Sequence, residues 1–236
     1  MHTQTQNKGF RIIEERVRLG IPYDDPKTFF LYPSYGPNTF AHVGEAITKE
    51  GLARPTMADT VDLVHAAFNA DDKYSQEIQR IMKDRWFWGF TGNLYIPQEG
   101  VYIQDNPRIS NGLPFMEQSD LVQKLEAHDP RVRFVPFGFP IREMSALELA
   151  RNPYIQGLVG EEGAEKLAEI ADKHKYKPYL YSFASIDQPL TRVSALGSDG
   201  LVGRRLNVVG DDHGDDRNGY VFGVLDKTGE ASRAEK

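Results

Sequence analysis

Gly89-Phe90-Thr91-Gly92-Asn93-Leu94-Tyr95-Ile96-Pro97-Gln98-Glu99-Gly100-Val101-Tyr102-Ile103 is where the pattern of this chain changes. Upstream, apolar residues recur at helical spacing. Downstream, they alternate. Leu94-Tyr95-Ile96 and Val101-Tyr102-Ile103 flank Pro97-Gln98-Glu99-Gly100, and two β-rich runs around a Pro/Gly-bounded turn predict a hairpin. Helix blocks followed by strand blocks, without alternating βα units, predict an α+β fold with a mostly antiparallel sheet. They argue against a doubly wound parallel sheet.

Upstream, Met57, Val61, Val64 and Phe68 form one helical stripe, opened by Thr56 with Asp59 three residues on, a capping-box variant. Phe40, Val43, Ala46 and Ile47 form another, with Asn38 or Thr39 as cap and Gly51 as stop. A third runs from about Tyr74 to Trp86. Residues 9–20, with Phe10, Ile12, Ile13, Val17 and Leu19 among charges, also read as a helix. Pro22, Pro26, Pro33 and Pro37 then break the chain and leave Phe29 to Tyr32 as a short strand. The expectation is a helical N-terminal half packed on a sheet.

Downstream, a helix starts at Ser119 and stops at Asp129-Pro130, and Val132 to Phe137 reads as an edge strand because of Pro136. Ser145-Ala146-Leu147-Glu148 is a capping box, with helices expected at 145–151 and 161–174. Tyr179–Phe183, Thr191–Leu196, Gly203–Val209 and Tyr220–Leu225 read as strands, with a turn at Gly197-Ser198-Asp199-Gly200. The central hairpin and these C-terminal strands are expected to build the sheet. No linker or repeat appears, which predicts one domain over 1–226 and a polar tail over 227–236.

The 236 residues carry a net charge of −6 and no cysteine. Acidity argues against an electrostatic nucleic-acid binder. The lack of cysteine excludes disulfides, thiolate zinc sites and thiol nucleophiles. No apolar run reaches the ~18 residues of a membrane span, and the start is unlike a signal peptide, so a cytoplasmic protein is expected. Phosphate-loop, dinucleotide-binding, HExxH and GxSxG motifs are absent.

The residue types that bind hard cations gather once, in Gly210-Asp211-Asp212-His213-Gly214-Asp215-Asp216-Arg217-Asn218-Gly219. An EF-hand is excluded. With Gly219 at the invariant glycine position, the first position is Gly214 and the twelfth Leu225, where acids are required. Asp, Asn and Gly also make ordinary turns, and two carboxylates about 7 Å apart in water repel by only about 0.6 kcal/mol. A solvated turn is therefore one reading. The other is a site for Ca²⁺, Mg²⁺ or Mn²⁺ held by Asp211, Asp212, Asp215 and Asp216, with His213 as acid or base.

His42 and His65 are further acid–base candidates, on helices that could share a pocket. His128-Asp129 resembles the central pair of a metal phosphohydrolase, but Pro130 pushes Asp129 out of helical geometry. Tyr32, Ser34, Tyr35 and Asn38 lie in a Pro/Gly loop ahead of a helix start and are candidate ligand-binding residues. Arg80, Lys83 and Arg85 precede Trp86-Phe87-Trp88, where core packing outweighs nucleic-acid stacking. No catalytic signature emerges, so a non-catalytic binding or interaction module, with a protein partner or a second copy, is the leading reading. The alternative is a metal-dependent enzyme acting on a phosphate ester or nucleotide through the 211–216 loop.

Overall fold

The computed structural model describes residues 16–21, 28–198 and 205–225. Its strands are β1 (Val17–Gly20), β2 (Phe29–Asn38), β3 (Trp86–Ile96), β4 (Gly100–Asp105), β5 (Arg108–Ser110), β6 (Leu113–Phe115), β7 (Val132–Pro136), β8 (Tyr176–Tyr181), β9 (Leu190–Ser198), β10 (Arg205–Asp212) and β11 (Gly219–Leu225). Its helices are α1 (Phe40–Lys49), α2 (Met57–Phe68), α3 (Lys73–Asp84), α4 (Gln118–Glu126), α5 (Ala146–Ala150) and α6 (Pro153–Asp172). Nine strands form one sheet in the order β1-β2-β11-β3-β9-β10-β8, with β4 branching from β3 and β7 from β4. Among the described residues, only the β10–β8 and β11–β3 pairs are parallel. β5 and β6 form a separate two-stranded ladder that has no counterpart in the sequence reading. The fold is α+β, as expected.

β3 is the axis of the sheet. Its register with β4 runs from Thr91↔Asp105 to Ile96↔Gly100, which is the expected hairpin. Its other edge pairs with β9 along nearly its whole length. Both faces are covered. Phe87 and Tyr95 join a core with Met57, Val61, Val64, Ile81, Leu158 and Leu167 from the helices on one side. Trp88 and Phe90 point the other way, onto Phe40, Val43 and Ile47 of α1. Leu94 and Ile96 pack on Leu121 of α4 and on Val132. A strand buried on both faces reads as a near-continuous apolar run, and each Phe-sized side chain so buried is worth about 2–3 kcal/mol. Gly89 lets α2 close on the sheet, because a Cβ there would lie 2.8 Å from the Met57 Cα.

The helix caps follow the sequence signals. Thr39 accepts from the His42 amide, Thr56 and Asp59 make a reciprocal capping box, and Ser145 and Glu148 make a second. Asp72 caps α3, and Trp86 lies beyond its end.

Several expectations are corrected. Val17–Gly20, inside the expected helix at 9–20, is a strand paired to β2 (Val17↔Tyr32). Val17 and Leu19 alternate with Arg18 and Gly20 and cover one face of that edge, so pairing overrides the helical pattern. Residues 9–15 lie outside the described residues. The expected loop at Tyr32–Asn38 is the second half of β2. Pro33 and Pro37 are accommodated by register shifts against β11, since they have no amide hydrogen to donate. α6 begins at Pro153, not 161, and is interrupted at Gly160 (φ 78, ψ 170). Two poor helix formers, Gly157 and Gly160, hid its first half from the sequence pattern. The N-terminal half is not predominantly helical: α1–α3 share it with β1–β6, and α4–α6 come later. The turn at 197–200 lies partly, and the tail at 227–236 wholly, outside the described residues. Among the described residues, no helix is long and apolar enough to cross a membrane.

Candidate functional site

Among the described residues, the β8–β10 end of the sheet opens into a cavity on the α1 side. Leu180, Leu206 and Val208 turn toward the helices, so their neighbours turn outward. The ladders align those neighbours in rows. Trp86 pairs with Gly197, Gly197 with Asn207, and Asn207 with Tyr179. Val209 pairs with Ala195 on one side and Tyr181 on the other. Trp86, Tyr181, Ser198, Asn207, Val209, Asp211, Asp212 and Asn218, with Lys83–Arg85 at the rim, line an open cavity of about 780 Å³. Gly197 keeps the floor flat, since a Cβ there would lie 3.0 Å from the Trp86 ring.

Two acceptors in this cavity are poorly satisfied. Asn207 is 6% exposed, and its Oδ1 is buried without a hydrogen bond. The Asp211 carboxylate has its own backbone amide as donor, and it forms no ion pair among the described residues. Burial, reinforced by the charge of Asp212, raises its pKa. Burial also raises Asp212, with Asp216 and Asp215 adding to the effect, although Asp212 accepts the Gly214 amide at 2.7 Å.

The end of β10 is anchored from below. Tyr95 Oη donates to the Gly210 carbonyl at 2.9 Å. Tyr154 Oη donates to Asn93 Oδ1 at 2.9 Å, and Asn93 Nδ2 to Ser194 Oγ at 2.9 Å. Ser194 Oγ in turn donates to the Thr91 carbonyl at 2.8 Å. This buried chain ties α6, β3 and β9 together beside Gly210, which must be glycine: a Cβ there would lie 1.8 Å from Tyr154 Oη.

The acidic loop is divided in its roles. Asp216 accepts from Trp86 Nε1 at 3.0 Å and from the Asn218 amide at 2.7 Å, making a turn and fixing the indole. Gly214, at φ 75, gives its carbonyl to the Phe40 amide at 3.1 Å and so closes the loop onto α1. His213 and Asp215 are exposed. Among the described residues, no three His, Asp or Glu side chains come together as a cation cage.

The remaining candidates are dispersed. His42 sits beside Thr39 on α1 (2.7 Å), and His65 on α2 meets Glu169 of α6 at 2.7 Å. α1 and α2 pack on opposite sheet faces, so these two histidines share no pocket. Tyr32 donates to Glu77 at 2.6 Å. Tyr35 donates to Glu50 at 2.7 Å under the Arg16 guanidinium, and burial with the Glu50 contact pushes its pKa to about 12. Asn38 accepts the Thr39 amide at 2.9 Å, and Ser34 lies half-buried in β2. Tyr181 and Asn207 escaped the sequence reading, and Trp86 was assigned to core packing. The available signal was alternation: Leu206 and Val208 inward, Asn207, Val209 and Asp211 outward.

The chain is similar in fold to a solved structure from work on the accommodation of massive sequence variation in Nanoarchaeota by the C-type lectin fold. The TM-score is 0.55 at 16% identity, over 90% of this chain and 99% of that one. No family model and no curated protein matches the sequence.

Proposed function

We propose that this protein is a non-catalytic binding module whose ligand seats on the open β3–β9–β10–β8 face. The observation that carries this reading is the buried, unpartnered Asn207 Oδ1 on the cavity floor. Leaving such an acceptor unpaired costs about 1–3 kcal/mol, a cost a ligand removes by donating to it. Asp211 adds an acidic acceptor, Trp86 adds apolar surface with its indole N–H held by Asp216, and Tyr181 adds apolar surface with a polar tip. The complementary ligand presents N–H or O–H donors beside an apolar or aromatic surface. The likeness to a C-type lectin fold described as accommodating massive sequence variation is consistent with a scaffold that carries a binding face. Fold alone does not assign the ligand.

The test is panning of the immobilised chain against a peptide library and a glycan array. Repetition with Trp86→Ala and Asp211→Asn follows. Hits that weaken tenfold or more in both variants, about 1.4 kcal/mol, support the face. Hits indifferent to both variants place recognition elsewhere. Turnover of a phosphate ester or nucleotide that requires Ca²⁺, Mg²⁺ or Mn²⁺ and is lost in Asp212→Asn/Asp215→Asn would overturn the non-catalytic reading.

A further inference from the structure

A second cavity, of about 470 Å³, lies between the C-terminal ends of α3 and α6. It shares Lys83, Asp84 and Ser198 with the open face, and its other walls differ. Arg80 and Lys83 come from α3, Lys173 and Lys175 from the end of α6 and the residues after it. Four cations thus face one acid, Asp84, in a chain whose net charge is −6. None of the four makes an ion pair among the described residues, a state they share with Lys49, Arg85, Arg108 and Lys177, and Lys175 rests over the Tyr176 ring at 5.2 Å. Cations at helix C-termini complement the helix dipole, and that accounts for Lys83 and Lys173 singly. It does not account for Arg80 and Lys175, which line the same concavity.

The floor is polar and built. His174 Nδ1 lies 2.8 Å from the Ile170 carbonyl, so Nδ1 carries the proton and Nε2 accepts from Ser198 Oγ at 2.8 Å. Ser198 is 7% exposed, and the Phe68 ring lies 5.7 Å from the imidazole. The Gln79 amide is fixed by its bond to the Ala67 carbonyl at 2.6 Å. The volume falls within the roughly 300–1,000 Å³ of small-molecule pockets. A guanidinium fork with several mobile ammonium groups suits a multiply charged tetrahedral oxyanion.

We propose that this cavity is an anion site for a small phosphate- or sulfate-bearing molecule, held by Arg80, Lys83, Lys173 and Lys175 above the His174–Ser198 floor. The proposal does not rest on the ligand of the open face, although Lys83, Asp84 and Ser198 line both cavities.

The experiment is thermal unfolding of the full chain in inorganic phosphate, sulfate and a nucleoside monophosphate, each against chloride at matched ionic strength. Imidazole proton NMR of His174 runs in parallel. Phosphate or sulfate should raise Tm beyond chloride by about 5–11 °C near 100 Kd and shift the His174 resonance. Arg80→Gln/Lys83→Gln should weaken binding about tenfold or more, and Arg80→Lys should retain part of it. Lys49→Gln/Arg108→Gln, at a distant surface, should leave it intact. The Tm difference between anion and chloride cancels any change in basal stability of a variant. A stronger response to the nucleotide than to phosphate identifies a phosphate ester as the ligand class, and equal responses identify the free oxyanion. Tm shifts no larger than those in chloride would overturn the site, as would binding that survives Arg80→Gln/Lys83→Gln.

Discussion

Asp211 lies where water reaches it poorly, with Asp212 next to it and its own backbone amide as the donor to its side chain. Its raised pKa means that the native state holds a proton more tightly than the unfolded chain, whose value is the ordinary 3.8. Stability therefore falls as pH rises from 3.8 through the raised native value, and neutral pH carries the whole cost. Asp211→Asn should raise Tm at pH 7 by roughly 1–2 °C, with the gain fading as pH approaches the ordinary aspartate range. Calorimetry of both proteins across that range checks it, and a Tm loss at pH 7 would show that Asp211 has a stabilising partner. The loop holding Asp211 stood out in the sequence by composition. Asn207 and Tyr181 did not, because what makes them notable is a neighbour on another strand. Trp86 was read as the end of a helix, and only its pairing with Gly197 puts the indole on the face.

At the scale of elements, what was legible was local. The capping boxes at Thr56 and Ser145, the stripe of α2 and the β3–β4 hairpin are each specified within a dozen residues. β2 and the first half of α6 were not, because ladder pairing overrides the prolines of one and tertiary packing the glycines of the other. Two predictions belong here. Glu148 accepts the Ser145 amide and pairs with Arg142, and the amide first, then the guanidinium, draws its pKa down to about 2. Its stabilising effect is complete above its ordinary value of 4.5 and is lost as pH falls toward about 2. Glu148→Gln should thus lower Tm at pH 7 and leave it unchanged at pH 2. Equal losses at both would point to packing in place of charge. At Gly160, φ is 78 and ψ is 170, with open space around the Cα. Gly160→Ala meets no steric clash there, so its cost is conformational, about 1–3 kcal/mol by denaturant unfolding.

Among the described residues, α2, α3 and α6 pack on one sheet face and α1 on the other, the β8–β10 end opens into the cavity, and the buried polar chain beneath that end joins three elements. Tyr154, wholly buried on α6, reaches Asn93 on β3, and Asn93 reaches Ser194 on β9. Each bond returns little net energy, but removing one donor strands an acceptor that water cannot reach. Tyr154→Phe keeps the ring against Phe139, 5.0 Å away, and takes only the hydroxyl. It should cost about 1–3 kcal/mol, at about 2–4 °C of Tm per kcal/mol for a chain this long. Because Tyr154 Oη also abuts Gly210, amide exchange should quicken at Gly210–Asp212 more than in α1, which packs on the other face. Tyr176→Phe, at an exposed ring, is the control and should change neither quantity. A Tyr154→Phe protein with unaltered Tm would mean that Asn93 finds another donor, and the chain of bonds would then be a consequence of the fold instead of a brace for the binding face.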